Sequence, residues 1–196
     1  MFLVVLGLVL YTFRKKTTLS AHRIATAAMA VAVSYAVFQI SIPLFGGIHM
    51  NMTPLVGILV GPAFGTIAVL IINIFSAAIG HGGWGMIGAN SLVNATEVSV
   101  GYCLFRVFKE RIGVFSSAVA ATVFGLTAGS VIMIALITIS GIQGSALTRA
   151  QILSNLILLA GVNVVVAVIE AVITGFAMNY INKLRPDLLT GAAGEK

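Results

Sequence analysis

Residues 45–94 read FGGIHMNMTPLVGILVGPAFGTIAVLIINIFSAAIGHGGWGMIGANSLVN. They hold two of the three histidines of the chain, its only tryptophan and ten of its 21 glycines. Within them, residues 53–79 form an apolar run of 27, long enough to cross a hydrocarbon core of ~30 Å. The run is broken at Gly61-Pro62, where proline removes a backbone donor and crowds the preceding turn. Residues 80–88 (GHGGWGMIG) carry five glycines in nine positions, too many for regular helix. The stretch is therefore membrane helix interrupted by polar loops. It predicts a small-ligand site, for a transition metal ion, at one face of a membrane-embedded bundle.

The rest of the chain agrees with that solvent. Of 196 residues, 59% are hydrophobic and 8% charged, with a mean hydropathy of +1.11; a soluble domain carries about 25% charged residues. Short strands of alternating polarity, the mark of a membrane barrel, are absent. The expectation is an all-α polytopic membrane protein, with one transmembrane domain over residues 1–185 and a disordered cytoplasmic tail over 186–196. The net charge of +6 does not indicate nucleic acid, because the basic residues sit at the ends of apolar runs, where they set topology. Cys103, the single cysteine, reads as a small packing residue with no disulfide partner in the chain.

The predicted spans are residues 20–44, 53–79, 90–108, 115–140 and 151–181. Residues 1–13 are apolar but cover only about 20 Å as helix, and read as part of an extra N-terminal helix that is truncated here. The clusters at 14–23, 106–111 and 183–185 hold four, three and two Lys/Arg, which places all three in the cytoplasm. An even number of crossings must then separate 23 from 106, so 53–79 contributes a short arm (53–61) and a full span (63–79). Six crossings plus the N-terminal segment result. The same parity puts residues 45–52 and 80–88 on one external face, so that His49 and His81 share a rim, and puts the C-terminus in the cytoplasm.

His49, in a Gly-Gly-Ile-His-Met-Asn loop, is the leading candidate ligand, since neutral imidazole suits Ni²⁺ and Co²⁺. His81 is a weaker second. Met50 and Met52 offer thioethers but read as packing, and His22 falls on the opposite, cytoplasmic side. Asn51, Asn73, Asn90 and Asn94 are amides in or near the membrane, able to orient ligands or to join helices. Asn90 and Asn94 share a helix face that Glu97 continues. Glu97 and Glu170 are intramembrane acids and thus functional suspects; for Glu170 a structural hydrogen bond to a neighbouring helix is favoured. No nucleophile elbow, His-Glu-x-x-His motif or phosphate loop occurs, so the chain reads as no enzyme and needs a partner or an ion gradient to drive uptake.

The run G-G-I-H-M…L-V-G-I-L-V-G-P…I-G-H-G-G-W-G-M-I-G-A-N-S-L-V-N resembles the CbiM/NikM family, the substrate-binding (S) membrane component of energy-coupling factor transporters for cobalt and nickel. The likeness covers residues 18–110, with a weaker signature at 170–174. It implies a six-helix S-component bundle plus an extra N-terminal helix, in the plasma membrane. It further implies a metal site of the loop histidine, here His49, with a free N-terminal amine and a histidine at position two. The chain departs from the pattern twice: it opens Met1-Phe2-Leu3, without the Met-His clamp, and carries His81 where the family has Asp. The implied partners are a transmembrane coupling (T) component, two cytoplasmic ATPases and a small accessory membrane subunit; no resident cofactor is implied, the ligand being transported Co²⁺ or Ni²⁺. Three other readings predict different features. An S component for an organic vitamin needs an aromatic-lined cavity around Trp84, an intramembrane metalloenzyme needs His49, His81 and Glu97 together, and a structural subunit would have lost the metal clamp.

Overall fold

In a computed structural model the described residues are Gly7 and residues 21–38, 41–42, 48–140 and 148–190; the side chains of 21–23, 26–27, 38, 41–42, 48–49, 149, 187 and 190 fall outside the description. Apart from Gly7, the N-terminal apolar segment lies outside the described residues, as do the basic run 14–16, the 141–147 loop and the tail from 191. So do the side chains of His22 and His49.

Among the described residues from 21 to 190, six helices and one short hairpin follow in order: α1 (Ala21–Phe38), β1 (Ser41–Ile42), β2 (Ile48–His49), α2 (Thr53–Ala78), a 3₁₀ turn (Trp84–Met86), α3 (Ile87–Ile112), α4 (Val114–Ser140), α5 (Arg149–Leu184) and α6 (Asp187–Thr190). Each long helix packs chiefly on the next in sequence, as short connections require. α2, α4 and residues Ala150–Leu184 of α5 are long and apolar enough to cross a membrane. α3 has 26 residues, about 39 Å of helix, and carries Arg106, Lys109 and Arg111 towards its C-terminal end. Outward-facing Ile157, Leu158, Val165 and Phe176 are exposed in the isolated chain, as lipid-facing side chains are. Seven hydroxyls (Thr66, Thr96, Ser99, Ser117, Thr127, Ser130 and Thr138) donate to the carbonyl one turn earlier, which keeps them satisfied where no water reaches.

The expected break in α2 is a reversal. Gly61 has φ 81° and ψ 169°, open to glycine and strained for other residues. A Cβ built on Gly65 would lie 3.5 Å from the Gly57 Cα, whereas eight residues of continuous helix separate atoms by about 12 Å. Residues 53–60 and 62–78 therefore fold back on one another and clasp α3: a methyl on Gly57 would strike the Val98 carbonyl, and one on Gly65 the Val98 side chain. The first arm, about 12 Å long, re-enters the bundle rather than crossing it, and its Thr53–Ile58 stretch is wholly buried. A second tight corner is Gly113, φ 78°, the single residue between α3 and α4.

Several expectations are corrected. The helix predicted to run to residue 44 is already extended chain at Ser41–Ile42, which pair antiparallel with the predicted irregular loop, Ser41 opposite His49 and Ile42 opposite Ile48. Ile42 precedes Pro43, which disfavours helical backbone, and β-branched Ile42 and Ile48 suit extended chain. α3 begins at Ile87, inside the glycine-rich segment, after the 3₁₀ turn. The tail expected from residue 186 starts with the α6 turn, whose Leu189 joins a cluster with Met52, Leu55, Ile58, Phe105, Ala118, Ala121 and Met178. Cys103 faces outward rather than packing inside.

Candidate functional site

Where the chain enters the first arm of α2 it must bury backbone N–H groups with no helical partner, the orphan donors of any helix start. Met52, the residue before the helix, cannot cap them with its side chain and sits in left-handed backbone, φ 51° and ψ 17°. The acceptor comes from α5. Oε1 of Glu170 accepts the backbone N–H of Asn51 and that of Met52, the latter at 3.2 Å. One residue on, the Thr53 hydroxyl donates to Glu97 Oε2 of α3. Three consecutive residues are thus held by two carboxyl groups from two other helices. Both acids are inside the bundle, Glu97 at 4% and Glu170 at 1% exposure. Gly129 of α4 makes the room: a methyl there would overlap the Glu97 carboxyl. Among the described residues Glu170 Oε2 has no hydrogen-bond partner.

The predicted site residues fall into two groups. Asn51 reaches Glu170 through its backbone, and Glu97 meets the loop through Thr53. His49 belongs to this group through its backbone, paired with Ser41 in β2 two residues before Asn51. The second group is higher on α3. His81, half-buried, donates its backbone N–H to the Ser76 carbonyl at 2.8 Å, and the neighbouring Gly82 lies against Asn90, whose Nδ2 would be 3.1 Å from a Cβ there. Asn90 and Glu97 are seven residues apart, about 10 Å of rise, with buried Asn94 between them on the same helix. The two loops therefore do not end at one level: the first carries Asn51–Thr53 inward to the Glu97 depth. Asn73 donates within its own helix, to Val69 O at 2.8 Å. Among the described residues, no three His, Cys, Asp or Glu side chains converge as a metal cage. Trp84 is 65% exposed and lines no aromatic interior.

Two contributors escaped the sequence reading. The partner of Glu170 is loop backbone rather than a neighbouring helix, and backbone donors leave no signature in a sequence. Gly129, unremarkable in a helix rich in small residues, matters only because Glu97 lies against it.

A helical bundle with a re-entrant arm, whose entry loop is fastened by intramembrane carboxyls, is an architecture of membrane transport components, where irregular backbone at membrane depth is kept only inside the protein. The chain belongs to the CbiM family, the cobalt uptake substrate-specific transmembrane region, whose match covers residues 1–188. It is thus a membrane component of transition-metal transport and not an enzyme. A Haloquadratum walsbyi protein named for metal transport is 31% identical over 159 residues, 79% of this chain and 70% of the relative. In fold, the chain matches the crystal structure of a transition metal transporter with a TM-score of 0.80 at 18% identity, over 97% of this chain and 91% of the other. A truncated transition metal transporter gives 0.78, also at 18% identity, over 92% and 90%.

Proposed function

We propose that this chain is the substrate-specific component of an energy-coupling factor transporter and binds Co²⁺ or Ni²⁺ as cargo on a loop that carries His49, at the external face. The observation that carries this reading is the fastening of Asn51, Met52 and Thr53 to Glu170 and Glu97. It holds a polar, histidine-bearing loop at the mouth of a broken helix, where free backbone groups and an imidazole can meet an ion. Asn51 and Glu97 are the polar groups beside the His49 loop; His81, the second candidate ligand, lies with Asn90 about 10 Å further along α3, with Asn94 between the two levels. With no nucleotide-binding motif in the sequence, import depends on a transmembrane coupling protein, two ATPases and a small accessory membrane subunit. The basic clusters at 106–111 and 183–185 support a cytoplasmic C-terminus and external site loops.

The test is calorimetric titration of the purified, detergent-solubilised chain with Co²⁺ and with Ni²⁺, alongside His49→Ala and His81→Ala. His49→Ala is expected to remove binding of both ions and His81→Ala to weaken it. Wild-type affinity in His49→Ala would exclude the loop as the metal site.

A further inference from the structure

We infer that Glu170 is a positioning residue for cargo binding: it presets the backbone of the loop that presents His49. The inference rests on the reading of that loop as the metal site. The His49 backbone is anchored on one side by its pairing with Ser41. Two residues later, Glu170 Oε1 holds the N–H of Asn51 and, at 3.2 Å, that of Met52. Only Met50 separates the two anchors, so little freedom remains for residue 49. The second anchor comes from 119 positions away in sequence, on the last long helix.

A mere need to satisfy two donors does not account for this group. An ionisable side chain inside a bilayer is costly, and a hydroxyl or amide on the arm itself would cap one N–H at less expense. The α2 entry instead has Met52, with left-handed backbone and no side-chain cap. One carboxyl oxygen takes two successive N–H groups and thereby dictates the direction of the chain between them, which a single-bond cap does not. One residue on, Glu97 adds a second carboxyl by accepting the Thr53 side-chain hydroxyl, and Gly129 keeps the space for it. A loop held this way meets an ion without first being ordered, and that is how preorganisation raises affinity. Groups that orient metal ligands typically change affinity roughly 10- to 100-fold when removed.

The test compares wild type, His49→Ala and Glu170→Gln for Co²⁺ affinity by calorimetry and for the visible ligand-field spectrum of the bound Co²⁺. Glu170→Gln keeps the volume, weakens the acceptor and brings an NH₂ donor into the site. The expected result is a roughly 10- to 100-fold weaker Co²⁺ complex with an altered spectrum, because the ligand geometry relaxes. Unchanged affinity, or weaker binding with the wild-type spectrum, would overturn the inference while leaving the metal loop standing, provided His49→Ala has lost binding. If His49→Ala binds as wild type, the metal-loop reading itself fails. Should Glu170→Gln not fold, hydrogen exchange on the wild-type chain decides. Protection of the Asn51 and Met52 amides before Co²⁺ is added supports presetting; protection that arises only with Co²⁺ overturns it.

Discussion

Thr53, Glu97 and Gly129 show how narrow the tolerances of this interior are. Thr53 supplies the hydrogen bond to Glu97 that the described residues offer, so Thr53→Val leaves a buried carboxyl oxygen without its donor. That should destabilise the chain by about 2 kcal/mol, read as a lower thermal midpoint in detergent. Gly129→Ala places a methyl into the Glu97 carboxyl and should cost about 1–3 kcal/mol as overpacking; a stability equal to wild type would mean that Glu97 is not held there. At this scale the sequence was legible in part. Glu97 and Glu170 stood out because acids are rare in apolar runs, but their partners did not. Glu170 acts on backbone N–H groups, which every residue but proline carries, and Thr53 looks like any residue at a helix start. Buried Ser91 and Thr122 hydroxyls, without partners among the described residues, likewise leave no mark in the sequence.

The element that most shapes the interior is the broken α2. Gly61-Pro62 announced the break, whereas parity of the basic clusters counted the 53–61 arm as a crossing, and that arm folds back inside the bundle instead. What parity could not say is how closely the two arms approach, since that depends on the bare backbones of Gly57 and Gly65 against Val98. The two glycines are distinguishable by experiment. A Cβ at Gly65 meets the Val98 side chain, whereas one at Gly57 meets the Val98 backbone. Both Gly65→Ala and Gly57→Ala should destabilise, by about 1–3 kcal/mol. Adding Val98→Ala should recover much of the loss at Gly65 and none at Gly57, as comparison of single and double variants by thermal unfolding will show. Equal rescue at both sites would contradict the hairpin geometry. Gly61→Ala, forced to keep φ near 81°, should cost about 1–3 kcal/mol without any packing partner able to relieve it. The end of α1 and the β1–β2 pair were misread for a related reason: an apolar run of 25 residues reads as helix by composition, and only the local preference before Pro43 hints otherwise.

Across the whole molecule, lipid takes the place of a second layer of protein. Cys103 faces outward on α3, one turn before Arg106, so a membrane-permeable maleimide should modify it in intact vesicles faster than a charged one; equal rates would place this turn of α3 outside the hydrocarbon core. Just beyond α5, Leu189 joins the cluster that holds Met52, Leu55 and Ile58, which ties α6 to the arm that carries the site loop. Leu189→Ala should cost about 2 kcal/mol, measured as a lower thermal midpoint and faster proteolysis after α5. Composition and the positions of Lys and Arg were enough, without coordinates, to establish a helical membrane bundle, a break at Gly61-Pro62 and two polar loops, because solvent and topology act on averages along the chain. The glycine, histidine and asparagine pattern of residues 45–94 likewise pointed to the family. The tertiary structure alone decided that the first loop is drawn inward and held by Glu170 and Glu97, that Gly129 makes room, and that Leu189 packs into the cluster under the first arm of α2. Those are contacts between residues far apart in sequence, 119 positions for Asn51 and Glu170, made by atoms whose meeting depends on the register of packed helices, and no local pattern encodes that register.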